Sequence, residues 1–166
     1  MASDPSTMNK QALQNRIAEV LQSGLELYMK AATTARFEAT HEQSKAENKY
    51  DTRGLEASYL ARGQSRQAAE TQQSIEAIRA MAPRDFSGGQ PVDLGAYVEI
   101  VQRSEVSCYF LAPRGGGTEV EFEGREIVVI TPQSPLGRQI LGRKEGEVLK
   151  LEIGGRNASH TLRKVL

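Results

Sequence analysis

Residues 82–91 read Ala-Pro-Arg-Asp-Phe-Ser-Gly-Gly-Gln-Pro, and the chain changes character across them. Pro83 has no N–H to give a helix ladder and pushes Ala82 away from helical dihedrals, so a helix arriving from the N-terminal side stops here. Ser87-Gly88-Gly89 then permits a change of direction, and Pro91 closes the segment. Before it, apolar residues recur at helical spacing; after it, they alternate or fall in short runs. Residues 1–82 therefore read as helical, 83–91 as a linker and 92–166 as a small β-rich domain. The fold class is α+β.

Upstream, Leu13, Ile17, Val20, Gly24, Leu27, Ala31 and Thr34 fall at alternating four- and three-residue steps, the seam of a coiled coil. Counting back from Ile78, the positions Ile75, Thr71, Ala68, Gln64, Ala61 and Ala57 repeat those steps. No proline lies between Ser6 and Ala82, and good helix formers dominate. The pattern predicts one helix from Thr7 to Thr40 and a second ending near Met81, each of roughly 30 residues and about 45 Å. Joined by a short loop, they make an antiparallel coiled-coil hairpin. Its seam turns small and polar toward the loop, which predicts a less stable distal half. Leu55, Tyr59 and Leu60 add bulk near the loop, and Tyr59 is expected to pack.

The tip, residues 41–54, reads HEQSKAENKYDTRG. Ser44 and Glu47 have capping-box spacing, hydroxyl to the N3 amide and carboxylate back to the cap amide. A helix starting near Lys45 puts Glu47 and Asp51 at i,i+4 on one face, with Glu42 also nearby. These carboxylates are either candidate oxygen ligands for a divalent cation or a start signal and solvated surface. His41 has no Cys or second His beside it, which argues against a metal ligand. Lys45, Lys49 and Arg53 read as helical partners of the acids, with contact to RNA or to another protein's carboxylates as the other reading.

Composition narrows the function classes. Lysine plus arginine number 21 and aspartate plus glutamate 21, so no global field draws the chain to DNA or to an anionic membrane. No apolar run approaches membrane-spanning length. The one cysteine, Cys108, sits in a strand-like run, reads as packing, and fits a reducing compartment. The expected location is cytoplasmic. Without a CxxC or a His/Cys cluster, structural zinc is excluded. Gly115-Gly116-Gly117 lacks the Lys-Ser/Thr of a phosphate loop.

Beyond the linker, strands are expected at 97–102, 107–111, 120–123, 127–130, 148–153 and 161–165. Residues 134–142, SPLGRQILG, read as a short helix with Ser134 as N-cap, Pro135 first and Gly142 at the stop.

The runs ITPQSPLGR (130–138) and LGRKEGEV (141–148) look like the signature I-S-P-x-S-P-L-G … L-G-K-x-x-G-D-x-V. With the hairpin before it, the chain resembles the Gre family of bacterial transcription elongation factors (GreA and GreB are the type members) over nearly its whole length. That resemblance implies an FKBP-like domain from 92 onward, without an isomerase site. It implies RNA polymerase as partner, with Ser134, Pro135, Leu136, Gly137, Arg138 and Arg143 at the docking surface. The hairpin would enter the polymerase secondary channel and reach the nascent RNA 3′ end. There Glu47 and Asp51, with Glu42, would assist a Mg2+ ion held by the polymerase in cleaving backtracked RNA. The chain would be no enzyme, would carry no cofactor of its own, and would read no DNA sequence. At the tip the family pattern is Asp-x-x-Glu-Asn; Glu47 and Asn48 match it, while Ser44 replaces the Asp. The alternatives are a channel-binding modulator or inhibitor that does not stimulate cleavage, an FKBP-like isomerase or chaperone, and a hairpin that only dimerises.

Overall fold

A computed structural model describes residues 7–40 and 53–166, side chains at 53–55, 57 and 58 aside. The elements are α1 (Lys10–Thr40), α2 (Arg53–Ala80), β1 (Tyr97–Gln102), β2 (Glu105–Leu111), β3 (Glu119–Phe122), β4 (Arg125–Ile130), α3 (Pro135–Ile140), β5 (Val148–Ile153) and β6 (Arg156–Val165). Two long helices followed by a sheet domain with one short helix is the expected order. The chain divides into two compact units, residues 1–20 with 76–166, and residues 21–75.

In the first unit, α1 starts three residues later than its pattern suggested, because Asn9 is its cap: Asn9 Oδ1 accepts the Ala12 N–H at 2.9 Å. Gln14 closes the end of α2, its Nε2 donating to the carbonyls of Met81 at 2.9 Å and Ile78 at 3.3 Å. Lys10 is buried, and its ammonium donates to the carbonyls of Gly95 (2.7 Å), Arg84 (3.2 Å) and Leu166. Burial pushes this amine down to about 8; Asp85 opposes the shift and Arg84 adds to it.

The sheet runs β3-β4-β2-β1-β6-β5. All neighbours are antiparallel except β2 and β4. One face carries Val98, Ile100, Leu111, Ile130, Leu151 and Leu162, packed with Leu136 and Ile140 of α3 and with Phe86 of the linker. On the other face the register aligns Tyr97 with Phe110 and Phe110 with Val129, all fully buried. Helical Leu13, Ile17 and Ile78 of the same unit are also fully buried. β2 begins at Glu105 rather than 107, because Arg103, at φ 56°, makes a tight turn that no glycine announces. β6 begins at Arg156 rather than 161, because Gly154 and Gly155, at φ 60° and 76°, make a two-residue hairpin.

In the second unit α1 and α2 run antiparallel, with Arg36 donating to Ser65 Oγ at 2.8 Å. From Ala61 onward the α2 seam lies where it was read: Ala61, Thr71 and Ile75 are buried, with Gln64 and Ala68 half-buried, while the Ala57 side chain lies outside those described. The α1 seam is displaced by one residue. Leu25, Ala32 and Ala35 are buried, whereas Leu27 is 68% exposed and Ala31 and Thr34 face solvent. Following Ile17 with Leu21 and Leu25 keeps a straight helix's stripe on bulkier residues than Val20 and Gly24 offer. Tyr59, expected to pack, is 61% exposed with the Arg62 guanidinium over its ring at 5.9 Å. It lies two positions short of Ala61, off the seam.

Candidate functional site

The region carrying the family-like signature is built around the N-terminus of α3. Ser134 sits in extended backbone as the N-cap, accepting from the Gly137 N–H at 3.0 Å and donating to the Thr131 carbonyl at 2.7 Å. Pro135 takes the first helical position, where a missing N–H costs nothing. Gly137 admits no side chain, since a Cβ there would lie 1.9 Å from the Thr131 carbonyl oxygen. Leu136 and Ile140 are buried in the core. Past the helix, Gly142 turns at φ 79°, and its N–H and the Arg143 carbonyl pair with Val92, both at 2.8 Å. These bonds fasten the signature to the start of the domain.

Of the six residues assigned to docking, Ser134, Leu136 and Gly137 thus have their side-chain positions taken up by the cap and the core. Pro135, Arg138 and Arg143 are exposed, and Leu141 joins them at 43% exposure. Arg143 lies 3.8 Å from Glu147 across solvent, a contact worth little in itself. The outward surface is therefore apolar at Pro135 and Leu141 and cationic at Arg138 and Arg143. Leu141 was missed in the sequence because it reads as the last apolar residue of the helix. Its exposure follows from the stop at Ile140 and the turn at Gly142.

Glu42, Glu47 and Asp51, with Ser44, His41, Lys45 and Lys49, lie outside the described residues. Among the described residues, no group of three His, Cys, Asp or Glu side chains is placed to hold a metal ion. No helix of those residues is long and apolar enough to cross a membrane.

A polar cluster that the sequence did not announce occupies the sheet face beside Tyr97. The buried Glu99 carboxylate takes the Tyr97 hydroxyl at 2.9 Å and faces Arg163 at 3.5 Å and Arg125 at 3.8 Å. Cys108 Sγ is 3.2 Å from the same hydroxyl, so with one proton the phenol donates to Glu99 and accepts from the thiol. Burial, then Cys108 and Glu99, drive the Tyr97 phenol above its ordinary range. Burial works against the Arg125 charge, but Tyr97 and Glu99 outweigh it and hold the guanidinium above its usual value. Glu99, Cys108, Arg125 and Arg163 line a cleft of about 520 Å3. Every ionised member has a partner, so the cluster reads as a satisfied structural network. Its one sequence signal was Glu99 in the middle of the buried run YVEIVQ.

No protein-family model matches the chain, and no curated protein matches it in sequence. Solved structures similar to it include GreA factor homolog 1 (Gfh1) of Thermus thermophilus, at 17% identity and TM-score 0.35 over 90% of this chain and 94% of that one. Thermus aquaticus Gfh1 is similar at 21% identity and TM-score 0.37, covering 89% and 92%. A further structure, of the transcription factor Gfh1, is similar at 21% and 0.38, covering 90% and 93%. Likenesses at this level carry no functional inference; the functional reading rests on residues of the chain itself.

Proposed function

We propose that the chain is an RNA polymerase-binding transcription elongation factor that docks through the outward surface of α3 and acts through the tip of its hairpin. One observation carries the reading: within the segment that has the Gre-like signature, Pro135, Arg138, Leu141 and Arg143 are exposed. Exposed apolar residues together with arginines are a composition favoured at protein interfaces. The matching residues taken up by the cap and the core, Ser134, Leu136 and Gly137, set the geometry of that surface.

At the tip, Glu47 and Asp51 offer carboxylate oxygens, and magnesium accepts one or two such ligands while water and phosphate complete its shell. A second metal ion of the polymerase would stabilise charge during phosphodiester cleavage. The part of this chain is to supply oxygen ligands. Serine in place of the expected Asp at position 44 removes one carboxylate. That substitution favours a second reading, in which the chain occupies the channel and modulates or inhibits the polymerase without stimulating cleavage.

Docking is tested by binding to polymerase core enzyme. Charge reversal at Arg138→Glu with Arg143→Glu should weaken affinity more than tenfold and flatten its salt dependence. Unchanged affinity at low salt would remove α3 from the interface.

A further inference from the structure

Among the described residues β5 is an edge of the sheet, paired with β6. The hairpin joining them closes through Gly154-Gly155, with Ile153 opposite Arg156. The pair flanking a two-residue turn exchanges both backbone hydrogen bonds. Ile153, Leu151 and Leu149 therefore direct their backbone groups at β6, and Glu152, Lys150 and Val148 direct theirs outward. Such a row is a template for another strand. At Glu152 the row is closed. Gln139 of α3 accepts the Glu152 N–H at Oε1 (2.8 Å) and donates from Nε2 to the Glu152 carbonyl (3.1 Å). The same Nε2 donates to the Pro135 carbonyl at 3.0 Å, which steadies the amide within its own helix. A primary amide carries the donor and acceptor of one strand residue, so Gln139 stands where a neighbouring strand would bond.

The strand that would bond there is a second β5. Paired antiparallel to itself, β5 has a register that sets Lys150 opposite Glu152 twice over, putting opposite charges across both contacts. Sliding to the register centred on Lys150 would instead set two lysines face to face. The charge-matched register needs the backbone of Glu152, the residue Gln139 occupies. Val148 at 67% exposure would gain burial from the same contact. We propose that Gln139 is a plug on the β5 edge, and that it prevents strand-to-strand pairing with a second copy of this chain.

The test is sedimentation equilibrium of the full chain with Gln139→Ala, and with Gln139→Met as a second variant of similar length lacking the amide. Both should dimerise at least tenfold more tightly than the parent chain. Adding Lys150→Pro, which removes an outward N–H and leaves the β6 ladder whole, should restore the parent behaviour. Hydrogen exchange at the Glu152 amide should quicken in Gln139→Ala at low concentration and slow again as the chain is concentrated. Association within threefold of the parent in both variants, or a dimer indifferent to Lys150→Pro, would overturn the proposal.

Discussion

The sheet-bearing unit and the helical unit are both packed, but with different material. The first buries Tyr97, Phe86, Phe110, Ile100, Leu111, Ile127 and Leu151. Among its described residues the second buries Leu25 and Ile75, and otherwise Ala32, Ala35, Ala61 and Thr71. Burial stabilises roughly in proportion to apolar area, about 25 cal/mol per Å2, so a seam of alanines yields little per residue. What alanines allow is close approach of two helices, a slender arm rather than a sturdy one.

Truncation gives the largest contrast. Phe110→Ala, in the centre of the sheet, should cost about 3–5 kcal/mol in urea unfolding, whereas Thr71→Ala in the helical seam should cost less than about 1 kcal/mol. Equal costs would erase the distinction between the units. Overpacking reverses the direction of the test. Ala35→Leu adds volume where the helices meet and should destabilise the arm by about 1–3 kcal/mol, seen as faster amide exchange in residues 21–40.

A pH effect belongs to the sheet-bearing unit. The folded-state pKa of Lys10, about 8, lies below the ordinary lysine value of 10.5. Between those values the unfolded chain holds a proton that the folded chain has released, so stability rises with pH there, by no more than about 3 kcal/mol. Tyr97 opposes this above about pH 10, the ordinary tyrosine value, because its raised pKa keeps the folded phenol neutral while the unfolded one ionises. Thermal melts from pH 8 to 10 should therefore climb in the parent chain and stay flatter in Lys10→Met. A parallel climb in both would remove Lys10 from the account. The smallest effect is a gain: Gly24→Ala and Gly63→Ala meet nothing within 4 Å and should each stabilise the arm by about 0.5–1 kcal/mol, slowing exchange there.

Much of the sheet-bearing unit was legible because its signals are local. Strands β1 and β5 and the capped helix α3 fall where alternation, Ser134, Pro135 and Gly142 put them. In the helical unit the α2 seam was equally plain. The α1 seam was not, because a strict heptad and a straight helix diverge after Ile17, and only packing decides between Val20 and Leu21. The Tyr97, Glu99, Cys108, Arg125 and Arg163 cluster could not be seen in sequence, since it depends on the register of four strands. The exposure of Leu141 depends likewise on where α3 stops. The acids of the tip are legible as a motif, and their chemistry turns on the polymerase that would receive them.

That chemistry is tested most directly by transcript cleavage in stalled elongation complexes, with the parent chain, Glu47→Ala and Asp51→Ala each at saturating occupancy. The parent should accelerate RNA shortening, and both variants should bind as well without accelerating it. Acceleration by the variants equal to the parent's would contradict the assignment of Glu47 and Asp51; binding without acceleration by the parent would leave a channel modulator in place of a cleavage factor.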